Sequence, residues 1–255
     1  GAPDGSAGNA PVNAIANVLN GMLWCVEYTS ALTRLGKHPG ILQGILEKGS
    51  EEHNQSLGDY TARRRLYDAG AAIPSGQSAA QYLAAVRKVI ANVSGEGTQR
   101  QLADAAAPIG KKMAEGAKVG LASCTHLLLS EIFLDNRAPW KPFNAVWQTK
   151  NGVFEKSAGK DDLIVWFGYV GASTSLEDYA THMRKSGAGL IICCSPDPGN
   201  AVNNIPEAIA RIDQSWALPD SVIDLPFPPG HMAAVSGIES TLLFRMLDEA
   251  VVARQ

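Results

Sequence analysis

The stretch that decides the fold is DDLIVWFGYVGASTSLEDYATHMRKSGAGLIICC, residues 161–194. Its two apolar runs, LIVWF and GLIICC, are too short for helices and show no polar alternation, which is how strands buried on both faces read. Between them lie a Gly/Ser/Thr loop and a segment with helical spacing from Ser175 to Ser186. The unit therefore reads as strand, loop, helix and parallel strand. Working outward, AKVGLAS (117–123), NAVWQT (144–149) and SVIDLPF (221–227) are further strand-like runs, and His126–Leu134 and Asn204–Ile212 have helical spacing. Strands alternating with helices predict an α/β fold with a mainly parallel sheet covered on both faces. Crossovers in such a sheet are right-handed, and ligands sit beyond the carboxyl ends of the strands. Function is therefore sought after Leu121, Trp147, Phe167 and Cys194.

The first 115 residues read differently. NAIANVLNGMLWCVEYTSALTRLG (13–36) has apolar residues at Ile15, Val18, Leu19, Leu23, Val26 and Leu32, mostly at helical spacing, with Gly36 as a stop. A short strand is expected after Pro39, and residues 50–76 read as a polar, turn-rich surface loop. Ala-rich amphipathic patterns predict helices over Ala79–Val93 and Gln99–Glu115. Trp24, Glu27, Tyr28 and Arg34 lie near one another on the first helix. Burial against the sheet is the simplest expectation for Trp24, and Glu27 is a minor site candidate.

Composition narrows the function. The chain has 255 residues, 45% hydrophobic and 18% charged, with 22 Lys plus Arg against 25 Asp plus Glu, a formal charge of −3. No basic run could follow a phosphate backbone, so nucleic acid is not an expected partner. The longest apolar stretches fall short of the roughly 20 residues of a membrane-spanning helix. The four cysteines, Cys25, Cys124, Cys193 and Cys194, show no zinc spacing and read as small core hydrophobes. Neither a metal nor a cofactor is expected. The opening GAPDGSAGNAP lacks Met and reads as a processed or trimmed start. A cytoplasmic chain is the first expectation and export of a processed chain the alternative.

The turn after LIVWF carries the chemistry. Gly168-Tyr169-Val170-Gly171-Ala172-Ser173-Thr174 leads into a helix capped by Ser173, Thr174 or Ser175. A glycine turn into a helix N-terminus presents free N–H groups and the positive end of a dipole, which suits a phosphate or carboxylate. The competing reading is structural: Gly171 permits a tight turn and the hydroxyls only cap.

Three stretches taken in order, GAKVGLASCTHLLLSEI (116–132), residues 161–195 and PPGHMAAVSGIESTLLFRMLDEAVVA (228–253), resemble the sugar isomerase (SIS) phosphosugar-binding domain, in its branch with a histidine in the first loop. The resemblance covers roughly residues 80–255. It implies a five-stranded three-layer α/β/α sandwich as domain 79–255, with residues 1–78 as an N-terminal helical extension. It also implies a homodimer binding a sugar phosphate or related sugar derivative where the first two strand-to-helix loops meet. Where the family's second loop reads Ser-x-Ser-Gly-x-Thr, this chain has Gly168 and Val170 in place of both serines and keeps Gly171 and Ser173. The implied ligand-binding residues are Ser123, Thr125, Gly171, Ser173, Thr174 and Ser236.

Aldose/ketose isomerisation needs a base to move a proton between adjacent carbons and an acid to open the ring. His126, after the first strand, is the first candidate. Glu239 is the candidate base on the closing helix. His231, in a loop fixed by PFPPG, is the third, because restricted backbone freedom suits a site residue. A metal held by His126, His231 and a carboxylate is not established by two histidines far apart in sequence. The alternative is a non-catalytic sugar-derivative sensor. A dinucleotide-binding oxidoreductase is disfavoured, because GLASCT (120–125) lacks the G-x-G-x-x-G turn.

Overall fold

The computed structural model describes residues 13–44, 47–58, 65–123, 127–128, 149–150, 153–154, 159–168, 181, 183–196, 205, 208–217 and 220–254. They form helices α1 (Asn13–Arg34), α2 (Ser50–Ser56), α3 (Gln77–Val93), α4 (Glu96–Ala114) and α5 (Ser236–Val252). The strands are β1 (Lys37–Pro39), β2 (Leu66–Asp68), β3 (Val119–Ser123), β4 (Thr149–Lys150), β5 (Val153–Phe154), β6 (Leu163–Phe167), β7 (Gly189–Cys194), β8 (Ala208–Asp213), β9 (Ser221–Asp224) and β10 (His231–Ala234). Two compact units result, one of Gly1–Val89 with Leu218–Ile238 and the other of Ile90–Ala217 with Glu239–Gln255.

The second unit holds the sheet expected from residues 161–194. β3, β6, β7 and β8 lie side by side in that order, all parallel. Every residue of β6 is buried, as an unbroken apolar run requires. Neighbouring residues on a strand point to opposite faces, so Trp166 and Phe167 show what covers each. Phe167 meets Phe244 of α5 edge-to-face, with centroids 6.0 Å apart. Trp166 clusters with Ile164, Leu190, Ile192, Cys194 and Met183, the last from the helical residues 183–186. Helices thus cover both faces of an α/β sheet.

Two expectations change here. Residues 204–212 do not form a helix over the part described: Ala208–Asp213 is β8, paired with β7. Ile209 is 55% exposed and Ile212 is buried. An edge strand open on one side supplies apolar residues at a spacing that also fits a helix, and backbone pairing with β7 decides the outcome. Residues 221–224 are a strand but lie outside the parallel sheet, pairing antiparallel with β10 in the first unit. Of the expected strand 144–149, only Thr149 falls among the described residues, in a two-residue hairpin with β5.

The first unit is built on α1, which ends where Gly36 takes a left-handed φ of 73°. Its inner face buries Val26, Thr29, Ser30 and Thr33. Ser30 shares a hydrogen bond with Ser78 of α3 at 2.8 Å, and Thr33 accepts one from the Ile73 N–H at 2.8 Å. The Glu27 carboxylate accepts the N–H groups of Gly76 and Ala79, each at 3.1 Å, and so caps the start of α3. Trp24 is not buried against a sheet. It is 66% exposed and stacks on Tyr28 with centroids 5.1 Å apart. Residues 50–76 contain α2 and β2 rather than loop alone, and the strand near Pro39 ends at that proline instead of following it. Among the described residues no helix is long and apolar enough to cross a membrane.

Candidate functional site

In a parallel sheet all carboxyl ends share one edge. Here Ser123 ends β3 opposite Phe167 of β6, Phe167 lies opposite Cys193 of β7, and Cys194 lies opposite Asp213 of β8. β3 and β6 therefore end side by side at one level. Thr125, His126, Gly171, Ser173 and Thr174 follow these strand ends in the sequence and lie outside the described residues.

The described part of this edge begins with Gly168. A Cβ placed there would sit 1.9 Å from Cη2 and 2.1 Å from Cζ2 of Trp166. The indole occupies the volume that a side chain at 168 would need. A serine at this position would collide with Trp166, which is 1% exposed and fixed in its cluster. The Gly168 N–H is also committed, donating to the Cys193 carbonyl at 3.0 Å. Position 168 thus offers a ligand neither a hydroxyl nor an N–H.

Beside it, the ends of β7 and β8 are tied to α5 by buried polar groups. Gln214 donates from Nε2 to the Cys193 carbonyl at 3.3 Å, and its Oε1 accepts from Trp216 Nε1 at 2.5 Å and from Ser240 Oγ at 3.3 Å. Ser195 Oγ donates to the Trp216 carbonyl. The Ser215 N–H donates to Glu239 Oε1 at 2.7 Å, and Ser215 Oγ to Oε2 at 3.0 Å. Glu239 is 1% exposed. Burial lifts its carboxyl above the ordinary glutamate range, while the bonds from Ser215 and the Trp216 backbone pull the other way. Burial also pushes the Cys193 thiol well above its usual value. A carboxyl titrating closer to neutrality suits proton transfer, but both oxygens of Glu239 already hold protein donors.

His231 and Ser236 belong to the first unit. His231 is not in a loop; it opens β10 opposite Asp224, with Nδ1 3.2 Å from Asp224 Oδ1. The turn fixed by PFPPG precedes it, and the chain goes on as a strand rather than a loop up to α5. Ser236 starts α5 and donates from Oγ to Asp220 Oδ2. Burial raises the Asp220 carboxyl, against the Ser236 bond that lowers it. Cys25, Cys193 and Cys194 are free thiols. Among the described residues no group of three or more His, Cys, Asp or Glu could hold a metal.

Sequence reasoning missed Gln214, Ser215 and Trp216. The signal was present, since QSW follows a strand end, but reading 204–212 as helix hid the strand that places it on the carboxyl edge.

No protein-family model matches the chain, and no curated protein matches it. Among solved structures it is similar to a candidate sugar-phosphate isomerase from Listeria monocytogenes. That likeness has 16% identity and a TM-score of 0.42, covering 70% of this chain and 86% of the other. A second likeness is to a Methanococcus jannaschii protein whose crystal structure led to an inferred 3-hexulose-6-phosphate isomerase function. Identity is 15% and the TM-score 0.39, covering 68% of this chain and 86% of that one. At such values these are likenesses of outline, and the fold assignment rests on the sheet's own strand order.

Proposed function

We propose that this chain binds a sugar phosphate or related sugar derivative in the manner of SIS domains and acts as an aldose/ketose phosphosugar isomerase. The observation that supports it most is the register of β3 and β6, Ser123 opposite Phe167, because the sequence that follows each strand is rich in hydroxyls and glycine and includes a histidine. On this reading Ser123, Thr125, Gly171, Ser173 and Thr174 hold the ligand, His126 opens the ring and Glu239 moves the proton between adjacent carbons. Ser236 enters on the sequence resemblance alone, and His231 on the restricted backbone of the turn before it. The ligand domain is 79–255, and residues 1–78 form an extension that closes a homodimer.

A second reading, a non-catalytic sensor of a sugar derivative, is favoured by one specific feature. Both Glu239 oxygens are held by Ser215, and position 168 has neither a hydroxyl nor a spare N–H. A site so built leans on fewer phosphate donors and has its base occupied.

Thermal shift against ribulose 5-phosphate, fructose 6-phosphate, free fructose and NAD tests binding. A true ligand raises stability by about RT ln(1 + [L]/Kd), roughly 2.7 kcal/mol at a hundredfold excess over Kd. No shift with any sugar or sugar phosphate refutes both readings. Isomerisation by the wild type that is lost in His126→Ala and Glu239→Gln supports the enzyme. Binding without turnover supports the sensor.

A further inference from the structure

We infer that Gln214 is a positioning residue that couples the start of the loop after β6 to the Glu239 end of α5. It sits 1% exposed at the carboxyl end of β8, and its backbone N–H donates to the Cys194 carbonyl at 2.9 Å. The side-chain amide is oriented without ambiguity. An indole N–H can only donate, so the oxygen must face Trp216 and the nitrogen must face Cys193. The nitrogen also lies 3.6 Å from Cys193 Sγ.

The Cys193 carbonyl is the junction. One lone pair takes the Gly168 N–H and the other takes Gln214 Nε2. Gly168 is the first residue of the loop to which the ligand is assigned, so that loop's origin and Gln214 share an acceptor. On its other side Gln214 is bonded to Ser240 and is followed by Ser215, whose N–H and hydroxyl hold both oxygens of Glu239. Only a side chain with a donor and an acceptor at one end can join these groups. Methionine matches the length and offers neither, while an ionised glutamate loses the donor.

The assignment of the loop to a ligand rests on the function proposed above; the coupling itself does not. Two variants of the full chain, Gln214→Met and Gln214→Glu, separate them. Without ligand, amide hydrogen exchange at Gly168 and Ser215 should quicken by about tenfold in Gln214→Met, the effect of one lost buried hydrogen bond, with Val165 in β6 unchanged. Wild-type rates at Gly168 and Ser215, or an equal rise at Val165, overturn the inference. Gln214→Glu should behave like the Met variant when ionised and like the wild type when protonated, because the acid can then donate to Cys193. The same behaviour at every pH also overturns it. With fructose 6-phosphate and ribulose 5-phosphate as probes well below Tm, Gln214→Met should bind the one that the wild type binds about tenfold more weakly. A lowered Tm with unchanged Kd reduces Gln214 to a purely structural role. If the wild type binds neither probe, the functional reading fails, and exchange at Gly168 and Ser215 still decides the coupling.

Discussion

Replacing Gly168 by serine, the residue found at this place in the SIS pattern that the sequence resembles, should be harmful in this chain. The new Cβ would lie 1.9 Å from Cη2 of Trp166 and 2.7 Å from Cζ3. Ordinary carbon contacts are about 3.5–4.0 Å, so the overlap is about 1.6 Å or more, far beyond what small adjustments absorb. The obstacle is the rigid part of an indole that packs against Met183, Ile164, Leu190 and Ile192, not the tip of a flexible side chain. Either the ring stays and the backbone after β6 moves, straining the bond from Gly168 to Cys193, or the ring leaves its cluster. Overpacking typically costs about 1–3 kcal/mol, and unseating a large buried aromatic about 3–5 kcal/mol. A loss of about 3–5 kcal/mol is expected, read from urea midpoints at constant m. The decisive measurement is the double-mutant cycle with Trp166→Leu. Once the indole is gone, serine at 168 fits, so its cost should fall by at least about 2 kcal/mol. If the costs simply add, or Gly168→Ser alone costs less than about 1 kcal/mol, the steric account of the missing serine is wrong.

Three further outcomes follow from the geometry. Glu239 has its carboxyl raised by burial, so the folded chain binds more protons than the unfolded one between the ordinary and the raised value. Stability from this group is full below that window and falls as pH rises through it; Glu239→Gln should flatten that fall in pH-dependent melting, and an unchanged slope counts against the assignment. Glu27→Ala removes the carboxylate that caps α3 through Gly76 and Ala79, with an expected cost of about 1 kcal/mol by denaturant titration; no cost refutes the capping role. Trp24→Ala should cost less than about 1 kcal/mol, because the ring is 66% exposed; a core-sized loss in the monomeric chain would show that the ring is buried there.

How much could be read from the sequence depended on how local the cause was. LIVWF and GLIICC were legible because strands buried on both faces must be apolar throughout, and the helices α3 and α4 because their patterns repeat over many turns. The strand β8 was not, since six residues at a sheet edge present one buried and one open side, and their apolar spacing fits a helix as well. Trp24 misled for a related reason: aromatic content argues for burial on average, whereas exposure depends on which face of α1 meets β1 and β10. The cap from Glu27 joins residues 49 and 52 positions apart, and Gln214 bonds a residue 21 positions away. Neither spacing is a motif. The departure at Gly168 was visible, but its cause lay in the rotamer of Trp166 two residues earlier.

The carboxyl edge of the sheet is divided by how its polar groups are used. At β7 and β8 the donors and acceptors of Ser195, Gln214, Ser215, Trp216 and Glu239 are spent on one another, in surroundings where an unmet polar group costs about 1–3 kcal/mol. A guest that recruited Glu239 as base would first have to break its bonds to Ser215, or give up its proton to the Ser215 oxygen as the hydroxyl proton passes to Glu239. On the proposed reading, binding energy therefore comes from residues beyond 168 and 123, and catalysis requires residues 215–216 to shift. An isomerase built this way should show Ser215→Ala raising both the reactivity of Glu239 and its proton affinity, because the hydroxyl bond that is lost is one that lowers the carboxyl. A sensor should show no turnover in either form. The Ser215 hydroxyl, absent from any sequence motif, thus separates the two readings more sharply than His126 does.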